Sequence, residues 1–343
     1  MKDTTISVDV AKSVFEIAVS LHPGHVAETH RLPRPRFAPF FAARQPTTVV
    51  MEACGMAHHW GRELQNQGHR VVLLPPHAVR PYVPRNKTDR TDAKGILEAF
   101  RNQAIHPVPV KTVAQQALAA LHRLRSRWMA TRTSRINTVR GVLREFGLPI
   151  PVGSRQVVPA VRAALEDADS GLPDAIRPVL ETACDEIRDL EVHIISVDHQ
   201  IEAVARETPV VSTLRSVPGI GPLTATALVA VVGDAARFPS GRHFASFIGL
   251  TPRESSTGLR RRLGAISKRG DSYLRMLLIH GARSVLCHAK KAGTHDRLRT
   301  WALEREQRRG HNKAAVALAN KMARIVWAVW TKGVPYQDTA TAE

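Results

Sequence analysis

Two carboxylates lie in or beside apolar, strand-like segments, where a buried negative charge is costly unless it is paired or binds a metal. Asp9 lies within the first of these segments, and Glu52 directly follows a later one. Asp89 and Asp92 come next, three residues apart at the start of a predicted helix. Carboxylate oxygens suit hard ions such as Mg²⁺ or Mn²⁺, and two such ions cleave phosphodiesters. We therefore predict that these four carboxylates bind metal. The alternative is a turn at Asp9 and ordinary helix N-terminal acids at Asp89 and Asp92.

A second set of reactive groups is the run of hydroxyls beside arginines at residues 249–271. Ser255, Ser256 and Thr257 precede three consecutive arginines. A serine that attacks a phosphodiester needs such neighbours, because arginine stabilises the charge that develops on the phosphate. From composition alone, a flexible loop explains the same residues.

The elements that must hold the carboxylates form an alternating pattern. Residues 6–10 and 15–19 are apolar, β-branched runs joined by a short turn, which predicts a hairpin; 47–51 and 71–74 predict two further buried strands. We expect helices between the later strands, and another that begins near Thr88. This order predicts an α/β domain with a mixed sheet.

The charge balance indicates a polyanionic partner. The chain of 343 residues has 49 Lys and Arg against 30 Asp and Glu, a net charge of +19. Such an excess is most often associated with nucleic acid. Three widely spaced cysteines indicate neither a disulfide framework nor a zinc site, and no apolar run is long enough for a membrane span. We expect a cytoplasmic protein with no membrane partner.

The middle of the chain predicts two long helices of opposite charge. Residues 114–146 form one helical pattern rich in arginine, of which Arg123, Arg127 and Arg135 are candidate DNA or RNA contacts; a solvated face is the alternative. In the acidic segment 159–207, apolar residues repeat every seven positions between 180 and 204. This repeat predicts a coiled coil between subunits or against the basic helix, or simple packing within one subunit.

A glycine-rich turn and a basic segment follow. Gly219 and Gly221 stand in Val-Pro-Gly-Ile-Gly before an apolar helix, and such a turn either grips a DNA phosphate or is a simple tight turn. Further candidate DNA contacts lie around the hydroxyl run: Arg260, Arg261, Arg262, Lys268 and Arg269.

Together these motifs resemble the DEDD transposases of the insertion-sequence 110 and 1111 families. The resemblance runs in order from about residue 5 to residue 336. It implies a RuvC-like, ribonuclease H-like DEDD domain at 1–110, a basic helix and coiled coil at 111–207, and a mostly helical transposase domain with a helix-hairpin-helix-like turn at 208–336. The remaining residues, 337–343, would be a disordered tail.

The resemblance also implies roles for single residues. Asp9, Glu52, Asp89 and Asp92 match the metal-binding tetrad, and Ser256 matches the nucleophile that forms a phosphoserine link to DNA. Members of the family recombine DNA, and those understood mechanistically are guided by a structured bridge RNA made from the element's own end. The resemblance therefore implies a bacterial, nucleoid-associated enzyme whose expected partners are DNA, a guide RNA and further copies of the chain.

The position of the nucleophile depends on the direction of counting. From Ile266-Ser267-Lys268 backwards the serine falls on Ser256, whereas from Thr251-Pro252 forwards it falls on Thr257. Serine is chemically preferred, with Ser255 and Thr257 as alternatives. Two other functions fit the same residues: a RuvC-like metal nuclease such as a junction resolvase, which forms no protein–DNA adduct, and a nucleic-acid-binding protein without catalysis.

Overall fold

The structure is a computed structural model that describes residues 4–22, 24–83, 89–292 and 296–337, without the side chains of residues 89, 90 and 292. The chain divides into two compact units, Met1–Ala114 and Gln115–Glu343. Each unit is described by itself. Within the described residues, no helix is long and apolar enough to cross a membrane.

The first unit is built on a five-stranded mixed sheet. Its strands, in chain order, are β1 (Thr5–Val10), β2 (Val14–Ser20), β3 (Glu28–Pro33), β4 (Thr48–Glu52) and β5 (Arg70–Leu74). The spatial order is β3-β2-β1-β4-β5, in which β1, β4 and β5 are parallel and β2 is antiparallel to both of its neighbours. The predicted hairpin, the mixed sheet and the four predicted strands are confirmed, and the sheet is compatible with a ribonuclease H-like domain.

Four helices accompany this sheet: α1 (Arg34–Ala42), α2 (Ala57–Asn66), α3 (Pro76–Val79) and α4 (Asp89–Arg101). Ile6 and Val8 of β1 face a core that includes Phe37 of α1 and Trp60 of α2. Because side chains alternate along a strand, the residues between them face the opposite side. There α4 covers the sheet, and its Ile96 packs with Val50 of β4.

The second unit is mostly helical. Its helices are α5 (Val113–Glu145), which begins two residues before the unit boundary, α6 (Val157–Glu166), α7 (Arg177–Glu207), α8 (Pro209–Arg215), α9 (Pro222–Val232), α10 (Gly241–Phe247), α11 (Ser272–Ala292), α12 (Arg297–Arg309) and α13 (His311–Lys332). Two short antiparallel strands, β6 (Pro252–Glu254) and β7 (Leu263–Ile266), form a hairpin between α10 and α11. Hydroxyls and arginines that composition alone would leave in a flexible loop therefore lie on this hairpin.

The two long helices of opposite charge pair within the chain. Ion pairs join Arg125 to Asp198, Arg132 to Glu191 and Arg135 to Glu186. As the residue number rises along α5 it falls along α7, so the helices are antiparallel. The heptad positions of α7 are buried in this chain or half-buried, namely Leu180, Ala183, Ile187, Leu190, Ile194, Val197, Ile201 and Val204. These positions are therefore covered within one chain, and a coiled coil, whether against the basic helix or between subunits, stays a prediction.

The second unit contains two hydrophobic cores. One joins the end of α5, helix α6 and the first half of α7, and includes Val139, Val161 and Ile187. The other lies among α8 to α13 and includes Leu228 and Leu278. The predicted domain boundary at residue 207 falls within the span of the second core, which also includes Ala205 of α7, and the boundary stays a prediction. The predicted tail, 337–343, lies outside the described residues except for Gln337.

Candidate active site

Strand register places two of the predicted metal ligands side by side. Val8 of β1 is paired with Met51 of the parallel β4, so Asp9 and Glu52 follow at the carboxyl ends of adjacent strands. Alternation along each strand directs both toward the face that α4 covers, as it does Ser7 and Val50. Both carboxylates are half-buried. The sheet therefore brings together two acids that are 43 residues apart in sequence.

Helix α4 brings a third predicted ligand to the same face. The buried hydroxyl of Ser7 donates a 2.6 Å hydrogen bond to the carbonyl oxygen of Ala93, the residue after Asp92. At the other end of α4, the Arg101 guanidinium lies beside Gly24, which follows β2. The last residue of β2, Ser20, is paired with the first residue of β1, Thr5. Helix α4 therefore runs opposite to β1, and its first turn points toward the carboxyl end where Asp9 lies. Asp92 is buried, with 8% of its surface exposed.

These carboxylates fit a hard divalent ion by donor chemistry. Among the described residues, no group of three His, Cys, Asp or Glu side chains is close enough to hold a metal ion. The side chain of Asp89 lies outside the described residues, as does Thr88, near which the helix was predicted to begin. Asp9, Glu52 and Asp92 share one face and offer only oxygen donors, as Mg²⁺ and Mn²⁺ require. The four-carboxylate site stays a prediction.

A further acid, missed in the sequence, lies beside Asp9. Glu16 of β2 is the antiparallel register partner of Asp9 and faces the same side of the sheet. Its carboxylate pairs with the Arg31 guanidinium of β3 at 3.3 Å. Period-two alternation within the predicted hairpin was the signal that could have identified it. Arg31 thus compensates one of the negative charges gathered on this face.

The candidate nucleophile lies near the end of an exposed hairpin. The main-chain ladder continues beyond β6 and β7, since Ser255 N–H donates to the Arg262 carbonyl and Thr257 exchanges hydrogen bonds with Arg260. The tip is Gly258 and Leu259; Gly258 has φ +54° and Leu259 is fully exposed. The whole hydroxyl run is therefore presented to solvent on an ordered ladder.

Ser256 differs from its two neighbours in its side-chain contacts. Its Oγ donates to Oε1 of Glu254 at 2.8 Å and accepts from the Arg262 N–H at 3.1 Å. Arg261 Nε lies 3.3 Å from the same Glu254 oxygen. Glu254 was not identified from the sequence. The only signal for Glu254 was its spacing of two residues from Ser256. This spacing becomes meaningful once both residues are known to lie on the same arm of a hairpin.

The predicted DNA contacts of this segment surround the hairpin. All five basic side chains are exposed, namely Arg260, Arg261, Arg262, Lys268 and Arg269. Arg275, at the start of α11, donates to the carbonyl oxygens of Ile248 and Arg269. Arg275 therefore anchors the base of the hairpin.

Backbone packing makes the hairpin base rigid. Lys268 N–H donates to the Gly249 carbonyl, and Ser267 N–H donates to the Thr251 carbonyl. Gly249 has φ +79°, and a Cβ at this position would collide with the carbonyl oxygen of Arg269. Only glycine fits such a backbone conformation and such a close approach. The base is thus fixed, while the tip projects away from it.

The arginines of α5 divide into two groups. Arg123 and Arg127 are exposed. Arg135 is also exposed but pairs with Glu186 of α7 at 2.7 Å. Arg140, by contrast, donates to the carbonyl oxygens of Pro151 and Gly153. Part of the basic helix therefore serves intramolecular contacts, and the rest is available to a polyanion.

The two glycines of the turn between α8 and α9 have different surroundings. Gly219 has φ +83°, and a Cβ there would meet the Gly281 carbonyl of α11 at 2.8 Å and Met322 of α13 at 2.7 Å. Gly221 is exposed at the N-cap of α9 and has no atom within 4 Å of such a Cβ. Gly219 thus permits close packing, and Gly221 is the residue of the turn that is open to an anion.

A buried polar cluster ties the basic helix to α9 and α11. His122 of α5 is hydrogen-bonded to Tyr273 of α11 at 3.1 Å and to Thr226 of α9 at 3.0 Å. Burial, with the charge of Arg125 as a lesser cause, lowers the pKa of His122 to about 4. The imidazole is therefore neutral at pH 7. Burial also raises the pKa of the Tyr273 phenol, so this ring keeps its proton.

Comparison with known proteins identifies the family. Residues 6–147 match the DEDD transposase family of IS110, and residues 211–297 match the Transposase IS116/IS110/IS902 family. A "Probable family 20 transposase" of Pseudomonas aeruginosa is 44% identical, and the match covers 98% of this chain and 99% of that relative.

Two further relatives have names that refer to insertion sequences. The transposase for insertion sequence element IS1111A of Coxiella burnetii is 39% identical over 98% of this chain and 92% of its own length. The transposase for insertion sequence element IS1328 of Yersinia enterocolitica is 34% identical over 97% of this chain and 98% of its own length. The chain therefore belongs to the IS116/IS110/IS902 family of transposases, which are enzymes that cleave and join DNA.

Proposed function

We propose that this transposase cleaves DNA at the ends of its insertion sequence and at the target through a phosphoserine intermediate at Ser256. The observation that carries the proposal is the hydrogen bonding of the Ser256 hydroxyl on an exposed hairpin among arginines. A covalent link keeps the energy of the cleaved bond in the protein–DNA ester, from which a second DNA end can be joined without an external energy source.

Asp9, Glu52, Asp89 and Asp92 are proposed to hold Mg²⁺ or Mn²⁺. Bound there, the ion would orient the scissile phosphate and neutralise its charge. Two of these residues lie on adjacent strands and a third is buried in the covering helix. Together with the Arg31–Glu16 pair, which limits the negative charge nearby, this arrangement supports the tetrad.

The arginines of the hairpin and of α5 are proposed to bind the DNA and RNA backbone. The net charge of +19 and the exposure of Arg123 and Arg127 support this assignment. Sequence choice is proposed to come from a structured RNA made from the element, because base pairing supplies specificity that surface arginines lack. The enzyme would then act in the cytoplasm at the nucleoid.

A homo-oligomer is part of the proposal. Helix α7 exposes Val179, Val192 and Ile195, which are 67%, 63% and 54% exposed. These residues lie outside the heptad seam that packs within the chain. A second copy would cover them, and it would allow two serines to act on two DNA strands.

The test uses end-labelled DNA of the element junction, Mg²⁺ and RNA transcribed from the element flank. On a denaturing gel we expect label to be retained by the wild-type protein, and to be lost with Ser256→Ala, with Asp9→Ala or without RNA. Ser255→Ala is the matched control and is expected to keep the adduct.

Other outcomes of this experiment would contradict the proposal. Free cut ends without an adduct would favour a metal nuclease of the junction-resolving kind. Intact DNA under every condition would leave a nucleic-acid-binding protein without catalysis. An adduct that persists in Ser256→Ala would move the nucleophile to Ser255 or Thr257.

A further inference from the structure

We propose that Glu254 is the general base that takes the proton of the Ser256 hydroxyl as its oxygen attacks DNA. This inference rests on the proposed serine mechanism and adds the proton acceptor that the serine needs. Serine is a weak nucleophile at neutral pH, and an adjacent base is a common means of activation.

The hairpin positions the two side chains for this transfer. Glu254 is the last residue of β6, and Ser256 follows two residues later on the same edge. The 2.8 Å distance between Glu254 Oε1 and Ser256 Oγ lies within the range required of a base and its proton donor. Arg262 N–H already donates to the serine oxygen. The serine's own proton is therefore the one shared with the carboxylate.

Glu254 is also unusual because it is an acidic residue in a strongly basic segment. Between residues 235 and 270 it is the single acidic residue, against eight lysines and arginines. A carboxylate in a surface that binds phosphate weakens that binding by repulsion. Arg261 offsets this charge by pairing with the carboxylate at 3.3 Å, and it holds Oε1 on the side of Ser256. A catalytic task accounts for an acid at this position.

Proton transfer accompanies both the cleavage and the joining of the DNA strand. The Ser256 O–H proton passes to Glu254 Oε1 while Oγ forms a bond to the phosphorus of a DNA phosphodiester. The bond between phosphorus and one deoxyribose oxygen breaks, and its electron pair stays on that oxygen, which takes a proton from water. On joining, a deoxyribose hydroxyl attacks the phosphoserine, its proton is lost to water, and Ser256 takes its proton back from Glu254.

The test measures single-turnover formation of the protein–DNA adduct by full-length wild type, Glu254→Gln and Glu254→Asp, with RNA and Mg²⁺, from pH 6 to pH 8. General-base catalysis contributes roughly 10²-fold or more, so we expect Glu254→Gln to be about 100-fold slower at pH 7. Glu254→Asp keeps a carboxylate and is expected to recover part of the rate.

The pH dependence separates proton transfer from a structural role. Without the carboxylate, hydroxide must remove the proton, so the rate ratio of wild type to Glu254→Gln should fall about tenfold for each pH unit of increase. Ionisations common to both proteins cancel in this ratio. A ratio that is constant with pH, or a Glu254→Gln rate equal to that of wild type, would overturn the role of Glu254.

Failure of the serine mechanism would be recognised separately. If wild type forms no adduct, or if Ser256→Ala forms one, the proposed function fails and the inference fails with it. If the adduct depends on Ser256 but not on Glu254, only the inference fails. Saturating protein removes differences in DNA binding from the comparison.

Discussion

Two parts of this protein hold their reactive groups in opposite ways. One is the sheet face of the first unit that carries Asp9 and Glu52, the carboxylate face, and the other is the β6–β7 hairpin of the second unit, which carries Ser256. Asp9 and Glu52 lie at the carboxyl ends of adjacent strands, on the face that α4 covers, and Asp92 is buried in that helix. Ser256 lies just beyond β6 on a two-stranded hairpin, in which every residue from 252 to 265 is exposed. The first arrangement suits groups that must keep fixed mutual positions. The second suits a group that must reach a large, charged substrate.

The largest effect is expected at the carboxylate face. Asp9→Asn keeps the size of the side chain but removes one negative oxygen ligand, so we expect DNA cleavage to fall about 10³-fold, or about 4 kcal/mol in activation free energy. Thermal unfolding of the variant, measured in parallel, separates this loss of cleavage from a loss of folding. Cleavage within tenfold of wild type would exclude Asp9 from metal binding.

The base and the tip of the hairpin should respond differently to the same substitution. Gly249→Ala meets the Arg269 carbonyl at a positive φ, and we expect a loss of about 3 kcal/mol or more in unfolding free energy. Gly258→Ala at the tip has no atom within 4 Å and should lose about 1 kcal/mol through its φ of +54° alone.

Urea unfolding followed by tryptophan fluorescence measures this difference. Four of the five tryptophans lie in the second unit, so the signal reports mainly on that unit. Equal losses for the two variants would show that the base is no more constrained than the tip.

The stability of the second unit should fall as the pH is lowered. The pKa of His122 is lowered from 6.5 to about 4, so the unfolded chain binds this proton more readily than the folded one. The contribution of neutral His122 to the free energy of unfolding is fully present above pH 6.5. It is lost as the pH falls toward 4, and the loss has a limit of about 3 kcal/mol.

His58 of the first unit provides the matched comparison. Burial also lowers its pKa to about 4, and its Nδ1 accepts a hydrogen bond from the Lys111 N–H. Because His58 is more exposed than His122, solvent screening should make its contribution smaller. Between pH 7 and pH 5, His122→Asn should flatten the pH dependence of unfolding more than His58→Asn. The reverse order would contradict the assigned burial.

The smallest effects are expected on the basic helix. Arg135 pairs with Glu186, whereas Arg123 is exposed. Arg135→Gln should cost roughly 0.5 kcal/mol of stability, which is typical of an exposed ion pair. The affinity for RNA falls with salt, and Arg123→Gln should make the slope of log affinity against log salt concentration shallower by about 1. Arg135→Gln should change this slope by less. A larger slope change for Arg135 would mean that this arginine exchanges Glu186 for phosphate.

Strong local patterns explain which elements could be predicted. β1, β2, β4 and β5 are short segments rich in apolar and β-branched residues, and α5 is one uninterrupted helical pattern. β3 was missed because Glu28–Pro33 is a largely polar edge strand that alternates only weakly between half-buried and exposed positions. Its pairing with β2 comes from tertiary structure rather than from its own residues.

Residues of the candidate site also differ in how far the sequence predicts them. The tetrad and Ser256 are predictions from residue type, order and resemblance to a family. Glu16 and Glu254 were not predicted, because their positions depend on the fold, which places Glu16 opposite Asp9 and Glu254 beside Ser256. The heptad repeat of α7 indicated a seam correctly, but its pairing with α5 required the ion pairs of the folded chain.

The most direct test of the account is to locate the DNA-linked residue by mass spectrometry. After reaction with junction DNA, RNA and Mg²⁺, nuclease and trypsin treatment should leave a nucleotide on peptide 254–260, which contains both serines and the threonine. We expect fragmentation to assign the modification to Ser256. A modification on Ser255, on Thr257 or outside this peptide, or cleaved DNA with no modified peptide, would contradict the central claim.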